Sequence, residues 1–293
     1  MNTNLPNVKP ALRAFLRRIL PPRAFELVRS GWWRVSFHFP RLAASWFVKP
    51  RPAVRAFDAG GAPHLMQHLR GVNALAPTDM CRVMTLCGSD KGHRWHNYTT
   101  VYSALFKPYR DRPVRILELG IGTNNPEVPC HMPGHGRPGA SLRGWRELFP
   151  RALVFGADID RCVLFQEDRI KTFYCDQLDR ASIHELWSQP DLRGGVDIII
   201  EDGLHTFEAN VSFLEGSLAH LRPGGIYVIE DIALEAAGRW YHRLETIYSK
   251  RYPADEFTFV DLPNRHNSTD NNLLVVRRGG AGAPSSHRGE SLV

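Results

Sequence analysis

Residues 114–278 alternate short apolar runs with amphipathic stretches, and this alternation limits the fold more than any other feature of the chain. The apolar runs are VRILELG (114–120), ALVFGADID (152–160), IKTFYCDQ (170–177), VDIIIED (196–202), GIYVIED (225–231), EFTFVDL (256–262) and NNLLVVRR (271–278). Between them lie helix-like stretches: ASLRGWRELF (140–149), ASIHELWSQ (181–189), TFEANVSFLEGSLAHL (206–221) and RWYHRLETIYSKRY (239–252). The third of these is stopped by Pro223-Gly224-Gly225. Near-continuous apolar strands are buried on both faces, so strands alternating with helices imply a mainly parallel sheet with helices on each side. The last two runs are close enough to pair as a hairpin. The expected fold is therefore α/β and doubly wound, with seven strands, mostly parallel, and an antiparallel C-terminal hairpin. Residues 1–60 form a basic aromatic arm, 61–110 a helical cap segment, 111–278 the ligand-binding domain, and 279–293 a Gly/Ser/Pro-rich tail expected to be disordered.

Charge is distributed unevenly. The chain of 293 residues has a formal net charge of +7, yet residues 1–56 hold eleven Lys/Arg against the single acid Glu26. The remainder is slightly negative, so the basic character belongs to the arm and gives no reason to expect nucleic-acid binding by the body. In the arm, PALRAFLRRIL (10–20) reads as a short basic amphipathic helix stopped by Pro21 and Pro22. Such a helix suits an anionic membrane surface or a partner. It equally suits packing on its own domain or on another copy in a homo-oligomer, and the latter group of readings is the more economical. No apolar run reaches the ~18 residues of a membrane span, and the N-terminus lacks the pattern of a cleavable signal. The five cysteines (81, 87, 130, 162 and 175) form no CxxC pair, which fits a cytoplasmic protein, peripheral to a membrane at most.

Polar residues gather where the strands end. In open parallel sheets, ligands bind beyond the carboxyl ends of the strands, at the switch in strand order. The first strand leads into ELGIGT, where Gly120 and Gly122 permit a tight turn and close approach. Alone, that Gly-x-Gly is equally an ordinary strand-to-helix turn. Asp158, at the end of the second strand, is placed to accept from both hydroxyls of a ribose. Asp176 and Gln177, after the third, suit contacts near an adenine. A dinucleotide site would need its glycines to run directly into a helix; here TNNPEVPCHMPGHGRPG (123–139) intervenes. Cys130, His131 and His135 in that insertion match no zinc spacing and read as loop residues.

The fourth strand delivers Asp202 and, one turn later, His205; the fifth delivers Glu230 and Asp231. Singly, each acid reads best as a helix cap or a partner for Arg. Three on neighbouring strand ends would repel one another unless a cation neutralised them, and hard carboxylate oxygens suit Mg²⁺. Glu201 alternates to the opposite face from Asp202 and takes a lesser part. Upstream, GSDKGHRWHNY (88–98) has two readings of equal weight. Ser89, Asp90 and Lys91 could close over a ligand with His93 or His96 beside the acceptor, or Ser89 or Asp90 could cap a helix.

The pattern of Glu118-x-Gly120-x-Gly122 with acids after the second and third strands resembles class I, Rossmann-like, S-adenosylmethionine-dependent methyltransferases. GSDKG (88–92), GASLRGWRELFPRALVFGADID (139–160), DQLD (176–179) and EDGLHTFEANVSFLEGSLAHLRPGGIYVIEDI (201–232) narrow the resemblance to the macrocin and mycinamicin type of macrolide sugar O-methyltransferases. It covers about residues 85–235. The loop at 124–138 departs from it, and the arm has no counterpart. The resemblance implies a cofactor pocket of Glu118, Gly120, Gly122, Ser141, Asp158, Asp176, Gln177 and Asp202. It also implies Mg²⁺ on Asp202, Glu230 and Asp231, with His205 as general base. The reaction implied is methyl transfer from S-adenosyl-L-methionine to a hydroxyl of a glycosylated small molecule, or of another vicinal diol, in natural-product biosynthesis. Two alternatives remain at this point: an oxygenase like the cephalosporin hydroxylases, and a catalytically silent binding module. Non-haem iron usually wants two His and one carboxylate, which disfavours the first.

Overall fold

In a computed structural model, residues 55–58, 62–93 and 95–280 are described. The arm helix expected at 10–20 and most of the tail expected at 279–293 lie outside them. Three helices precede the central strands: α1 (Pro63–Leu69), α2 (Asp79–Cys87) and α3 (Tyr98–Leu105). Thr78 caps α2 by accepting from the Cys81 N–H, and Gly88 closes it in the left-handed conformation.

The central strands are β2 (Arg115–Leu119), β3 (Leu153–Asp158), β5 (Ile170–Tyr174), β6 (Val196–Glu201) and β7 (Leu221–Ile232). They alternate with α4 (Ala140–Leu148), α5 (Arg180–Ser188) and α6 (Phe207–Ser217); α7 (Ala237–Arg243) follows β7. β8 (Glu256–Asp261) and β9 (Asn272–Arg277) form the expected antiparallel hairpin. Seven strands are expected from the sequence, and among the described residues the sheet has nine, in the order β1-β8-β9-β7-β6-β2-β3-β5-β4. The two additions are short antiparallel edges. β1 (Arg55–Asp58) pairs with β8, and β4 (Gln166–Glu167) pairs with β5. β1 falls in the stretch that the sequence groups with the arm.

Side chains alternate across each strand, so the sheet has two separate cores. Ile116, Ile198, Ile200 and Val228 face α2, α3 and α4, packing with Met84, Tyr102 and Trp145. Leu117, Ile199, Tyr227 and Ile229 face the other way, packing with Trp187, Phe213 and Trp240. The same two-residue period sorts the acids. Glu118, Asp202 and Glu230 share parity with the first set and Glu201 with the second. β2 lies between β3 and β6, and the chain runs from β2 outward to β3 and β5 before crossing back to β6. The switch in strand order therefore lies between β2 and β6, at the ends that carry Gly120 and Asp202.

Candidate active site

The two glycines of the first turn are used differently. Both have φ of +83°. A Cβ on Gly120 would sit 1.9 Å from the carbonyl oxygen of Asp202, so β2 and β6 touch backbone to backbone at the switch point. A Cβ on Gly122 would collide with the Met132 side chain at 2.7 Å, which places the 124–138 loop across that turn. The loop contains no helix or strand. Cys130 donates from its thiol to the Leu204 carbonyl, and burial pushes that thiol up to about 12, leaving it protonated and unreactive.

Asp158 is buried and tied to the turns around it. It accepts from the N–H groups of Ile121 and Asp160, each at 2.9 Å. Burial pushes its carboxyl up, and those N–H groups work against the shift. Asp176 accepts from the Leu178 N–H. Gln177 is buried, donates to Glu201 and accepts from the Leu204 N–H at 2.9 Å, so it joins the end of β5 to the turn after β6. Ser141 donates to Glu118 at 2.7 Å, and Trp145 donates to the other Glu118 oxygen at 2.5 Å. Glu118 is thus oriented by α4 within the fold.

Glu201 lies on the far face, as alternation predicts. It is buried, and Tyr227 donates to it at 2.8 Å. Replacing Tyr227 with Phe should cost about 1–3 kcal/mol, because a buried acceptor loses its donor. Urea unfolding measures that loss, and turnover should stay within about twofold because nothing on the acidic face is touched.

On the near face the carboxylates meet a lysine. The Lys91 side chain is 2 % exposed, and its ammonium lies 2.5 Å from Asp202 Oδ2, 2.5 Å from Glu230 Oε2 and 3.2 Å from Glu118 Oε1. Burial works against that charge, but Asp202, Glu118 and Glu230 outweigh it and hold Lys91 well above the usual lysine range. Burial likewise pushes Glu230 well above its ordinary value and raises Asp202 and Glu118, with Lys91 opposing in each case. Tyr102 donates to the second Glu230 oxygen. Of the two readings of residues 88–98, no described helix starts at Ser89 or Asp90. α3 begins later, after Asn97. His93 bonds the Leu75 carbonyl, whereas His96 is buried beside Asp231, with Nδ1 3.4 Å from Oδ1.

His205 has φ of +59°, a left-handed turn that brings its ring back over the strand ends. Its Nε2 is 3.8 Å from Asp202 Oδ1 and 3.6 Å from Asp231 Oδ2. Tyr98 donates to the other Asp231 oxygen at 2.5 Å. Asp202, His205 and Asp231 each offer one ligand atom, all within 4.8 Å of one another, and all three side chains are partly open. The structure therefore brings together three of the four residues that the sequence singles out. The Glu230 carboxylate is turned instead towards Lys91 and Tyr102. Two hard carboxylate oxygens on partly open side chains suit Mg²⁺ or Mn²⁺.

No family model matches the chain. It is 40 % identical over 212 residues to the 8-demethyl-8-alpha-L-rhamnosyl tetracenomycin-C 2'-O-methyltransferase of Streptomyces olivaceus, covering 71 % of this chain and 48 % of that one. It is 38 % identical over 140 residues to the demethylmacrocin O-methyltransferase of Streptomyces fradiae, covering 47 % and 32 % respectively. The chain thus spans at most about half the length of these curated relatives. Among solved structures, the MycE methyltransferase of the mycinamycin biosynthetic pathway, in complex with Mg, SAH and mycinamycin VI, aligns with a TM-score of 0.51 at 26 % identity, covering 74 % of this chain and 58 % of that one. The chain shares the Rossmann-like methyltransferase fold and is similar in sequence to sugar O-methyltransferases of the macrocin and mycinamicin type.

Proposed function

We propose that the chain transfers a methyl group from S-adenosylmethionine to a hydroxyl of a sugar on a glycosylated small molecule, with help from a divalent cation. The observation that carries this reading is His205 Nε2 facing Asp202 Oδ1 and Asp231 Oδ2 at 3.8 and 3.6 Å, at the switch point of the sheet. The relatives named above support the reaction class.

S-adenosylmethionine, when bound, supplies an electrophilic methyl group. Glu118, Gly120, Gly122, Ser141, Asp158, Asp176, Gln177 and Asp202 are its proposed surround. Gly120 and Gly122 add no side chains of their own to that pocket, while the Asp158 carboxylate holds the turns around it by accepting from the N–H groups of Ile121 and Asp160. A divalent cation, when bound, makes a coordinated hydroxyl more acidic, and Asp202 Oδ1 and Asp231 Oδ2 are the oxygens that would hold it. His205 Nε2 then accepts the hydroxyl proton, since imidazole is the side chain matched to proton transfer near neutral pH. Separations of 3.6 and 3.8 Å are too long for direct hydrogen bonds, so the ring nitrogen remains available to an acceptor. Tyr98 and Lys91 fix the opposite oxygens of the two aspartates, which orients the pair. The remaining requirement is alignment of oxygen, carbon and sulfur. One imidazole with two carboxylates is not the two-His, one-carboxylate set of non-haem iron oxygenases.

A methyl-transfer screen across glycosylated acceptors, with and without EDTA, tests the reading. Methylation of at least one sugar hydroxyl is expected, suppressed by EDTA and restored by Mg²⁺. Activity unchanged by EDTA would remove the cation from the scheme. Tight binding of NAD in place of S-adenosylmethionine would overturn the reaction class.

A further inference from the structure

The connection from β8 to β9 (residues 262–271) is polar, and buried side chains hold it in place. β7 and β8 both pair antiparallel to β9, so β8 ends on the same side of the sheet as Asp231. Asn267, Asn271 and Asn272 are buried. Asn271 donates to the Leu262 carbonyl at 3.0 Å and to Asn97 Oδ1 at 2.7 Å, and Asn272 donates to the Ile232 carbonyl at 2.8 Å. Asn267 Oδ1 accepts from the Thr269 N–H at 3.2 Å, and the Leu234 N–H donates to the Thr269 carbonyl at 2.9 Å. Buried amides satisfied in this way rigidify the segment that carries them. The Tyr98 hydroxyl is 2.5 Å from Asp231 Oδ1 and 3.4 Å from the Asp270 carbonyl oxygen, so the loop delivers Asp270 to the edge of the site. Glu118, Asp202, Glu230 and Asp231 each accept from a buried protein donor. Asp270 differs. Its side chain is partly exposed, and among the described residues its carboxylate makes no hydrogen bond or ion pair. Its charge is felt on both sides of the opening. Burial is the main cause that pushes up Cys130, on the 124–138 loop, and Asp231, Asp202 and Asp270 add to it. Burial opposes the charge of His96, and Asp231, Asp90 and Asp270 outweigh it. Resting on the reading of this site as a sugar O-methyltransferase centre, we propose that Asp270 binds the acceptor, taking a hydrogen bond from a sugar hydroxyl other than the one that is methylated. An ionised carboxylate only accepts, and the non-reacting hydroxyls of a sugar are donors. A free carboxylate on a fixed loop needs no reordering to be used.

Steady-state methyl transfer by the full chain tests this. The probes are an acceptor that the chain methylates and analogues of it, each lacking one other sugar hydroxyl. Asp270→Ala should raise KM for the complete acceptor by about 10–100-fold, the range for losing a hydrogen bond to a charged group. Turnover at saturation should stay within about threefold, and KM for S-adenosylmethionine within about twofold. That is the pattern of an interaction made equally in the ground and transition states. Asp270→Asn keeps an accepting oxygen and the side-chain size, so it should raise KM by less. One analogue should show the raised KM with the unaltered chain, and Asp270→Ala should raise it no further. No rise with the complete acceptor, or a rise of equal size for every analogue, would overturn the proposal and leave the methyl-transfer reading standing. A fall in kcat with KM kept would overturn it too, and would make Asp270 part of the electrostatic setting of Tyr98 and His96. If Asp270→Ala does not fold, Asp270→Asn decides through the same comparison of analogues. No methyl transfer by the unaltered chain to any glycosylated acceptor would overturn the proposed function, and this proposal with it.

Discussion

Replacing His205 with Ala should lower methyl-transfer turnover by about 10²–10⁴-fold, the range expected when a positioned proton acceptor is removed. Affinity for S-adenosylmethionine, measured by calorimetry, should be unchanged, because His205 is not part of the proposed cofactor surround. Affinity for Mn²⁺ should also be unchanged, since Asp202 Oδ1 and Asp231 Oδ2 remain in place. This pair of controls separates two roles that the geometry brings close together. The His205 nitrogen lies 3.8 and 3.6 Å from those oxygens, and a nitrogen committed to a metal cannot accept a proton. Loss of Mn²⁺ binding in the variant would make His205 a ligand and leave the base unassigned. A turnover loss below tenfold with intact binding would show that proton removal is not what His205 contributes.

The second large effect is on folding. Gly120→Ala should be destabilising by more than about 4 kcal/mol, because the new methyl would lie 1.9 Å from the Asp202 carbonyl oxygen at a backbone φ of +83°. Neither partner can yield cheaply, since both are backbone at the ends of neighbouring buried strands. For a chain of this size that corresponds to a fall in Tm of about 10 °C or more, read by thermal unfolding. Gly238→Ala is the matching control. It sits in α7, exposed, with nothing within 4 Å of an added methyl, so a change of under about 1 kcal/mol is expected, in the stabilising direction. A Gly120→Ala protein as stable as the parent would mean that β2 and β6 separate readily at the switch point.

The sheet was legible because its strands are buried on both faces and end in recognisable turns. VDIIIED and GIYVIED can be read as neighbouring strands from composition alone, and they pair in parallel, with Ile200 opposite Val228. The two extra edges were not legible for a physical reason. RAFD is four residues inside a basic segment, and β4 is two residues long, so neither holds enough of a period to stand out. At the site, alternation alone separates Glu201 from Asp202, and the fold places them on opposite faces. Lys91 was harder. The sequence placed Lys91 only among residues that could close over a ligand, because its partners Asp202 and Glu230 lie 111 and 139 residues away in the chain. The signal for it was indirect: several acids on one buried face demand a counter-charge, and the strands themselves supply none.

Tyr98 and Tyr102 stand one turn apart on α3, and their hydroxyls donate to Asp231 and Glu230, consecutive residues on β7. A helical repeat of about 5.4 Å is thus matched to a strand step at two points. Two such points fix both the rotation and the axial register of α3 against the sheet. A shift of the helix by even a fraction of a turn would strip a hydroxyl from one acid before it could serve the other. The segment before the sheet is in this sense keyed to the chemistry. Altering its outward surface leaves the acids undisturbed as long as this two-tooth key is kept, and losing either tooth transmits the change directly to them.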